Sequence, residues 1–122
     1  MFALTVSEFI LTVDKETQRY DAERACVYIW PKDAVPTFEE AIQQLKEQLV
    51  MFAVIRGCDP ALIAELDFND LHHQQLNDVK TSITLMAMGE GRLDVTLKVS
   101  TPVPWDVSME QHFVYKFAVH EQ

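Results

Sequence analysis

The sequence is short of the residues that build specialised scaffolds and sites. Its 122 residues include only two cysteines, three glycines and five prolines. Cys26 and Cys58 lie far apart and outside any C-x-x-C pair, which argues against a disulfide framework or a zinc ligand set; each is expected as a small buried hydrophobe. Only Gly89 and Gly91 are close together, so a phosphate-cradling loop and a dinucleotide fingerprint are excluded. There is no G-x-S-x-G elbow for a nucleophilic serine. No apolar run approaches the roughly 20 residues that cross a bilayer as a helix. Cations are scarce as well. Ten Lys and Arg face 19 Asp and Glu, a formal charge of -9. Nucleic acids and anionic membranes are bound through clustered bases that displace counterions, so neither is an expected partner.

What is present is an ordinary globular composition, 48% apolar and 24% charged. A chain of this size makes one domain, residues 1–122, and buries roughly two-thirds of its unfolded surface without metal or disulfide. The stretch Phe2 to Val13 is largely apolar, but it has no basic start and carries Glu8, unlike a secretory signal. The expected compartment is the cytoplasm, of the producing cell or of a host that the gene has entered.

Hydrophobic periodicity divides the chain. Phe2, Leu4 and Val6 alternate, then the phase changes at Ser7 and Glu8 to Phe9, Leu11 and Val13, the pattern of a strand with a β-bulge. Glu23 to Trp30 predicts a second, antiparallel strand, and Pro31 to Pro36 breaks the chain. Thr37 and Glu40 form a T-x-x-E capping box ahead of Ala41, Ile42, Leu45, Leu49, Phe52 and Ala53 at helical spacing, with a stop at Gly57. The run Leu49 to Ile55 is apolar all round and predicts cover on most sides. Asp59 and Pro60 predict the start of a short helix over 61–66. Asn69 or Asp70 is placed to cap a further helical turn through Leu76. Ile83 to Ala87 and Leu93 to Val99 alternate around Gly89, Glu90 and Gly91, a hairpin signal. Thr101 to Asp106 reads as an extended loop, and Phe113 to Val119 as the last strand. The expected fold is α+β, an antiparallel sheet of about five strands on one long helix, in the order β-β-α-(short α)-β-β-β.

Candidate chemistry is sparse. His72 and His73 are adjacent, so neither a strand nor a helix aims both at one ion, and no metal or other cofactor is expected. His112 and His120 flank the last strand and read as surface or strand-end residues. Cys58 stands between a helix end and a helix start, beside Arg56, with a structural role favoured over a reactive one. The informative feature is charge layout. Between Gly57 and Val79 there are five acids, Asp59, Glu65, Asp67, Asp70 and Asp78, and no Lys or Arg. Glu65, Asp67, Asp70 and Asp78 are the candidate partner-binding residues; Asp59 is accounted for as a cap, and Asp70 has a capping role open to it as well. An electronegative face of this kind suits a basic protein surface. The expected function is that of a non-catalytic acidic interaction protein that blocks a basic site on its partner, for example a nucleic-acid-binding one. Phage and mobile-element inhibitors of host defence act in that way. The alternatives are an oligomeric ligand-binding protein or enzyme with a site between subunits, and a structural component of a larger assembly.

Overall fold

The computed structural model describes residues 1–28, 34–89 and 91–122, with side chains described outside 22–28. Strands β1 (Phe2–Asp14), β2 (Arg19–Tyr28), β3 (Gln74–Asn77), β4 (Thr81–Ala87), β5 (Arg92–Val103) and β6 (Asp106–Glu121) form one sheet. Helices α1 (Phe38–Ile55) and α2 (Ala61–Ala64) lie between β2 and β3 in the chain. The spatial order is β2-β1-β6-β5-β4-β3, with every neighbouring pair antiparallel. The chain therefore builds one edge as a hairpin, crosses to the opposite edge through the helices, and returns as a meander that closes on β1. The fold is α+β. Among the described residues it has six strands rather than about five, and its helical part is the pair α1 and α2 rather than one long helix.

Helix α1 begins where local chemistry tells it to. Thr37 has extended backbone and its Oγ1 accepts the N–H of Glu40 at 3.1 Å. At the other end Gly57 takes φ +78, the left-handed conformation that glycine adopts without strain. That turn lets the Cys58 N–H donate to Ala53 O at 2.8 Å and closes the helix. The buried face of α1, Ala41, Ile42, Leu45, Leu49, Phe52 and Ala53, packs into one core with Leu4 and Val6 of β1, Val95 and Leu97 of β5 and Tyr115 and Phe117 of β6. The Phe52 ring lies 4.4 Å from Tyr115 and 5.8 Å from Phe117, centroid to centroid. The run Leu49–Ile55 is covered on one side only: Val50, Met51, Val54 and Ile55 remain between 37 and 60% exposed.

Several local expectations are corrected. The added strand is β3, where a helical turn through Leu76 is predicted. Its residues Gln74 and Leu76 are half-buried and alternate with exposed Gln75 and Asn77. The Asp78 carboxylate shapes the turn into β4 by accepting the N–H groups of Lys80 at 2.8 Å and Thr81 at 2.7 Å. The bulge is not at Ser7 and Glu8, since β1 pairs with β6 without a break from Phe2 to Asp14. It lies in β2, where Ile10 faces Arg24 and Leu11 faces Ala22, so that Glu23 is the additional residue. The change of phase in β1 instead marks a change in which sheet face carries the apolar side chains. Helix α2 stops at Ala64 and its cap position is Pro60, although the Asp59 carboxylate does accept the Ala61 N–H at 2.9 Å. Residues 101–106 are not an extended loop: β5 runs on to Val103 and β6 starts at Asp106. Pro102 is tolerated because β4 pairs with β5 only as far as Val99, so one side of β5 is an edge beyond that point. Ile29 and Trp30 of the second predicted strand, residues 31–33 of the chain break, and Glu90 of the hairpin lie outside the described residues.

Candidate functional site

Glu8 stands on β1 with the parity of Leu4 and Val6, so its carboxylate enters the core side of the sheet and is only 6% exposed. A buried carboxylate requires a cation or donors. Arg56, at the end of α1, supplies both: its Nη2 lies 3.3 Å from Glu8 Oε2, and its Nε donates to the Tyr115 hydroxyl at 2.6 Å. Tyr115 is directly opposite Glu8 in the β1–β6 ladder. The guanidinium also stacks on Phe113, with its central carbon 4.0 Å from the ring centroid. This cluster fastens the end of the helix to the centre of the sheet. Its Arg56 also lines a cleft of about 390 Å³ together with Cys58, Asp59, Asp78, Lys80 and Thr81.

Burial, and then the hydrogen bond with Glu8, push the Tyr115 phenol up to about 12 from the ordinary 10.0, against the opposing influence of Arg56. The consequence for stability has a definite sign. Below pH 10 the phenol is protonated in both states and its contribution is constant; above it the unfolded chain loses the proton first. Unfolding free energy should therefore fall by up to about 2 kcal/mol between pH 10 and about 12. Urea unfolding of wild type and Tyr115→Phe across that range checks this, with the variant expected to lack that fall; identical profiles would show that Tyr115 does not carry it.

The predicted partner-binding residues are all exposed but are not gathered at one point. Asp78 shares the cleft of Arg56 with Asp59. Asp67 lines a second cleft of about 320 Å³, between α1 and the segment after α2. Glu65 and Asp70 lie in neither. The aspartates shape their own loops. Asp67 Oδ1 accepts the Asn69 N–H at 2.9 Å, and Asp70 Oδ1 accepts the His72 N–H at 3.4 Å. The Gln74 side chain ties the loop, its Oε1 accepting the Asp67 N–H at 2.9 Å and its Nε2 donating to the carbonyls of Asp67 and Asp70.

His72 and His73 are exposed, and His72 Nε2 is 3.5 Å from Asp70 Oδ1. Among the described residues no group of three or more His, Cys, Asp or Glu is placed to hold a metal ion. His112 corrects the expectation of a surface position: it is 5% exposed, its Nε2 is 3.2 Å from Glu110 Oε2, and its ring meets Tyr20 edge-on at 5.8 Å. That hydrogen bond, ahead of the one from Lys15, outweighs burial and holds the Glu110 carboxyl below the usual range. Cys58 is half-buried, with Sγ 3.2 Å from Thr81 Oγ1 in the first cleft. The side chain of Cys26 lies outside the described ones.

Glu8, Arg56 and Tyr115 are the residues that the sequence pattern leaves unread. The signal for them is a carboxylate in phase with buried Leu4 and Val6, which demands a cation from elsewhere in the chain. Fold and site together define a small α+β protein with acid-flanked clefts beside its helices. Neither a family model, nor a curated protein, nor a solved structure matches the chain. Among the described residues no helix is long and apolar enough to cross a membrane.

Proposed function

We propose that this is a non-catalytic acidic interaction protein that binds and blocks a basic site on a partner protein. The observation that carries the reading is the state of the acids between residues 57 and 79. All five are exposed, and no Lys or Arg interrupts them in the chain. Asp59, Asp67, Asp70 and Asp78 each use Oδ1 for their backbone hydrogen bonds. Those bonds fix the carboxylates in place while Oδ2 stays available to an incoming cation. Carboxylates held in this way steer a basic surface and meet it with little loss of side-chain freedom. Nucleic-acid-binding sites on host-defence proteins are basic surfaces of the expected kind, and the cytoplasm is the compartment in which such a partner would be met.

The test uses Glu65→Gln, Asp67→Asn and Asp70→Asn together, with a partner captured from a lysate of the natural host. Retention on wild type should be strong at low salt, about 0.05 M, and weak at about 0.5 M, where screening is short-ranged. The triple variant should bind about tenfold more weakly at low salt. Its thermal unfolding should stay close to wild type, because exposed acids contribute little to stability. Unchanged affinity with unchanged salt dependence in the triple variant would overturn the reading.

A further inference from the structure

The cleft that Arg56 lines is a slot with two walls. Residues 56–59, at the end of α1, make one wall, and residues 78–81, the turn into β4, make the other; Val99 and Thr101 of β5 form the floor. The walls are tied at the base, where Cys58 Sγ meets the hydroxyl of buried Thr81 at 3.2 Å. Each wall carries one base and one acid: Arg56 with Asp59, and Lys80 with Asp78. Both carboxylates are held through Oδ1, by the N–H of Ala61 in one case and those of Lys80 and Thr81 in the other, so they are in place before a ligand arrives. Arg56 is held more firmly still. Its Nε and Nη2 engage Tyr115 and Glu8 and its face lies on Phe113, which leaves Nη1 as the donor for a ligand. Among the described residues Lys80 makes no ion pair.

We infer that this slot binds a small zwitterion of the α-amino-acid class, its carboxylate toward the two bases and its ammonium toward the two acids. The lining charges select that class. A simple anion would stand against Asp59 and Asp78, and a simple cation against Arg56 and Lys80; a ligand with both signs turns each of these contacts into an attraction. The end of a peptide chain carries only one of the two charges and shares the disadvantage. Glu8 already neutralises part of the Arg56 charge, so the ligand carboxylate relies on Lys80 as well. The volume, about 390 Å³, is at the small end of the range for small-molecule sites, and the Val99 floor suits an aliphatic side chain. Charged groups fixed in advance lose little freedom when a ligand binds. The site goes beyond the acidic docking reading and does not rest on it: Glu65, Asp67 and Asp70, the residues that test that reading, lie outside the slot.

The probe is free L-leucine, compared with isocaproate, which lacks the ammonium, and isoamylamine, which lacks the carboxylate. A titration followed by amide chemical shifts should move the amides of residues 56–59 and 78–81. It should give leucine at least tenfold tighter binding than either analogue, about 1.4 kcal/mol. The double variant Asp59→Asn with Lys80→Gln removes one charge of each sign and keeps a side-chain oxygen to accept the Ala61 N–H. It should bind leucine about tenfold more weakly. Glu65→Gln removes a charge outside the slot and should bind leucine as wild type does. All three positions are exposed, so the variants should fold, and unchanged amide shifts in the rest of the sheet verify it. The site is overturned if leucine moves neither segment, if either analogue binds as tightly as leucine, or if the double variant retains wild-type affinity.

Discussion

Leu49→Ala is expected to lower the unfolding free energy by about 3–5 kcal/mol, the range for removing a fully enclosed leucine whose surroundings close only partly over the cavity. Leu49 is 0% exposed on the buried face of α1. On one side of it are the helical neighbours Leu45, Phe52 and Ala53, and the core beyond joins β1, β5 and β6. A domain has about 5–15 kcal/mol in total, so this change consumes a large share and should lower the melting temperature by roughly 10–20 °C. Val54→Ala, on the outer side of the same helix and 55% exposed, should stay within about 0.5 kcal/mol. Urea titrations of the two variants measure the contrast. A loss below about 1 kcal/mol for Leu49→Ala would mean that the helix is not what the sheet folds against.

The second large effect belongs to the cluster at the end of that helix. Arg56→Met should destabilise by about 3 kcal/mol, because it leaves the Glu8 carboxylate buried without its cation. Glu8→Leu should be milder, about 1–2 kcal/mol, since the Arg56 side chain is 27% exposed and can turn toward water. The double variant is the informative one. With both charges replaced by apolar groups beside Phe113 and Val6, stability should return to about 1–2 kcal/mol below wild type, the remaining loss being that of the buried Tyr115 hydroxyl, which is left without its partners. The resulting coupling, about 2–4 kcal/mol in a double-mutant cycle, measures the pair itself. Simple addition of the two single losses would show that Glu8 and Arg56 act independently.

Features set by neighbours in the chain are legible in the amino-acid order itself. Thr37 and Glu40 announce the start of α1 because a cap is a contact across three residues. Leu93, Val95, Leu97 and Val99 announce a strand with one buried face because their alternation is strict. Features set by distant partners are not legible in that way. Residues 74–77 hold one apolar side chain, Leu76, and become a strand only because β4 offers it a ladder. Pro102 looks like a loop residue until the end of β4 leaves β5 a bare side there. His112 gives no sign in the sequence that Tyr20 and Glu110 will enclose it. The acids between 57 and 79 are legible as charges, but the placing of Asp59 and Asp78 in one cleft and Asp67 in another is not, because it depends on β3 carrying Asp78 back toward the end of α1.

The pairing of β1 with β6 has a consequence for how the molecule forms. These neighbours at the middle of the sheet join Phe2 to Glu121 and Leu4 to Val119, so the ladder with the greatest separation along the chain is also among the most enclosed. Such a contact is entropically expensive to close and is rewarded only when the rest of the sheet is in place. The hairpin of β1 with β2, and the meander from β3 to β5, can each begin from local contacts, whereas their union waits for β6. Folding should accordingly be slow for a domain of this size and strongly cooperative, with the amides of β1 and β6 exchanging with solvent only when the whole domain opens, and those of β3, at the sheet edge, exchanging through smaller openings.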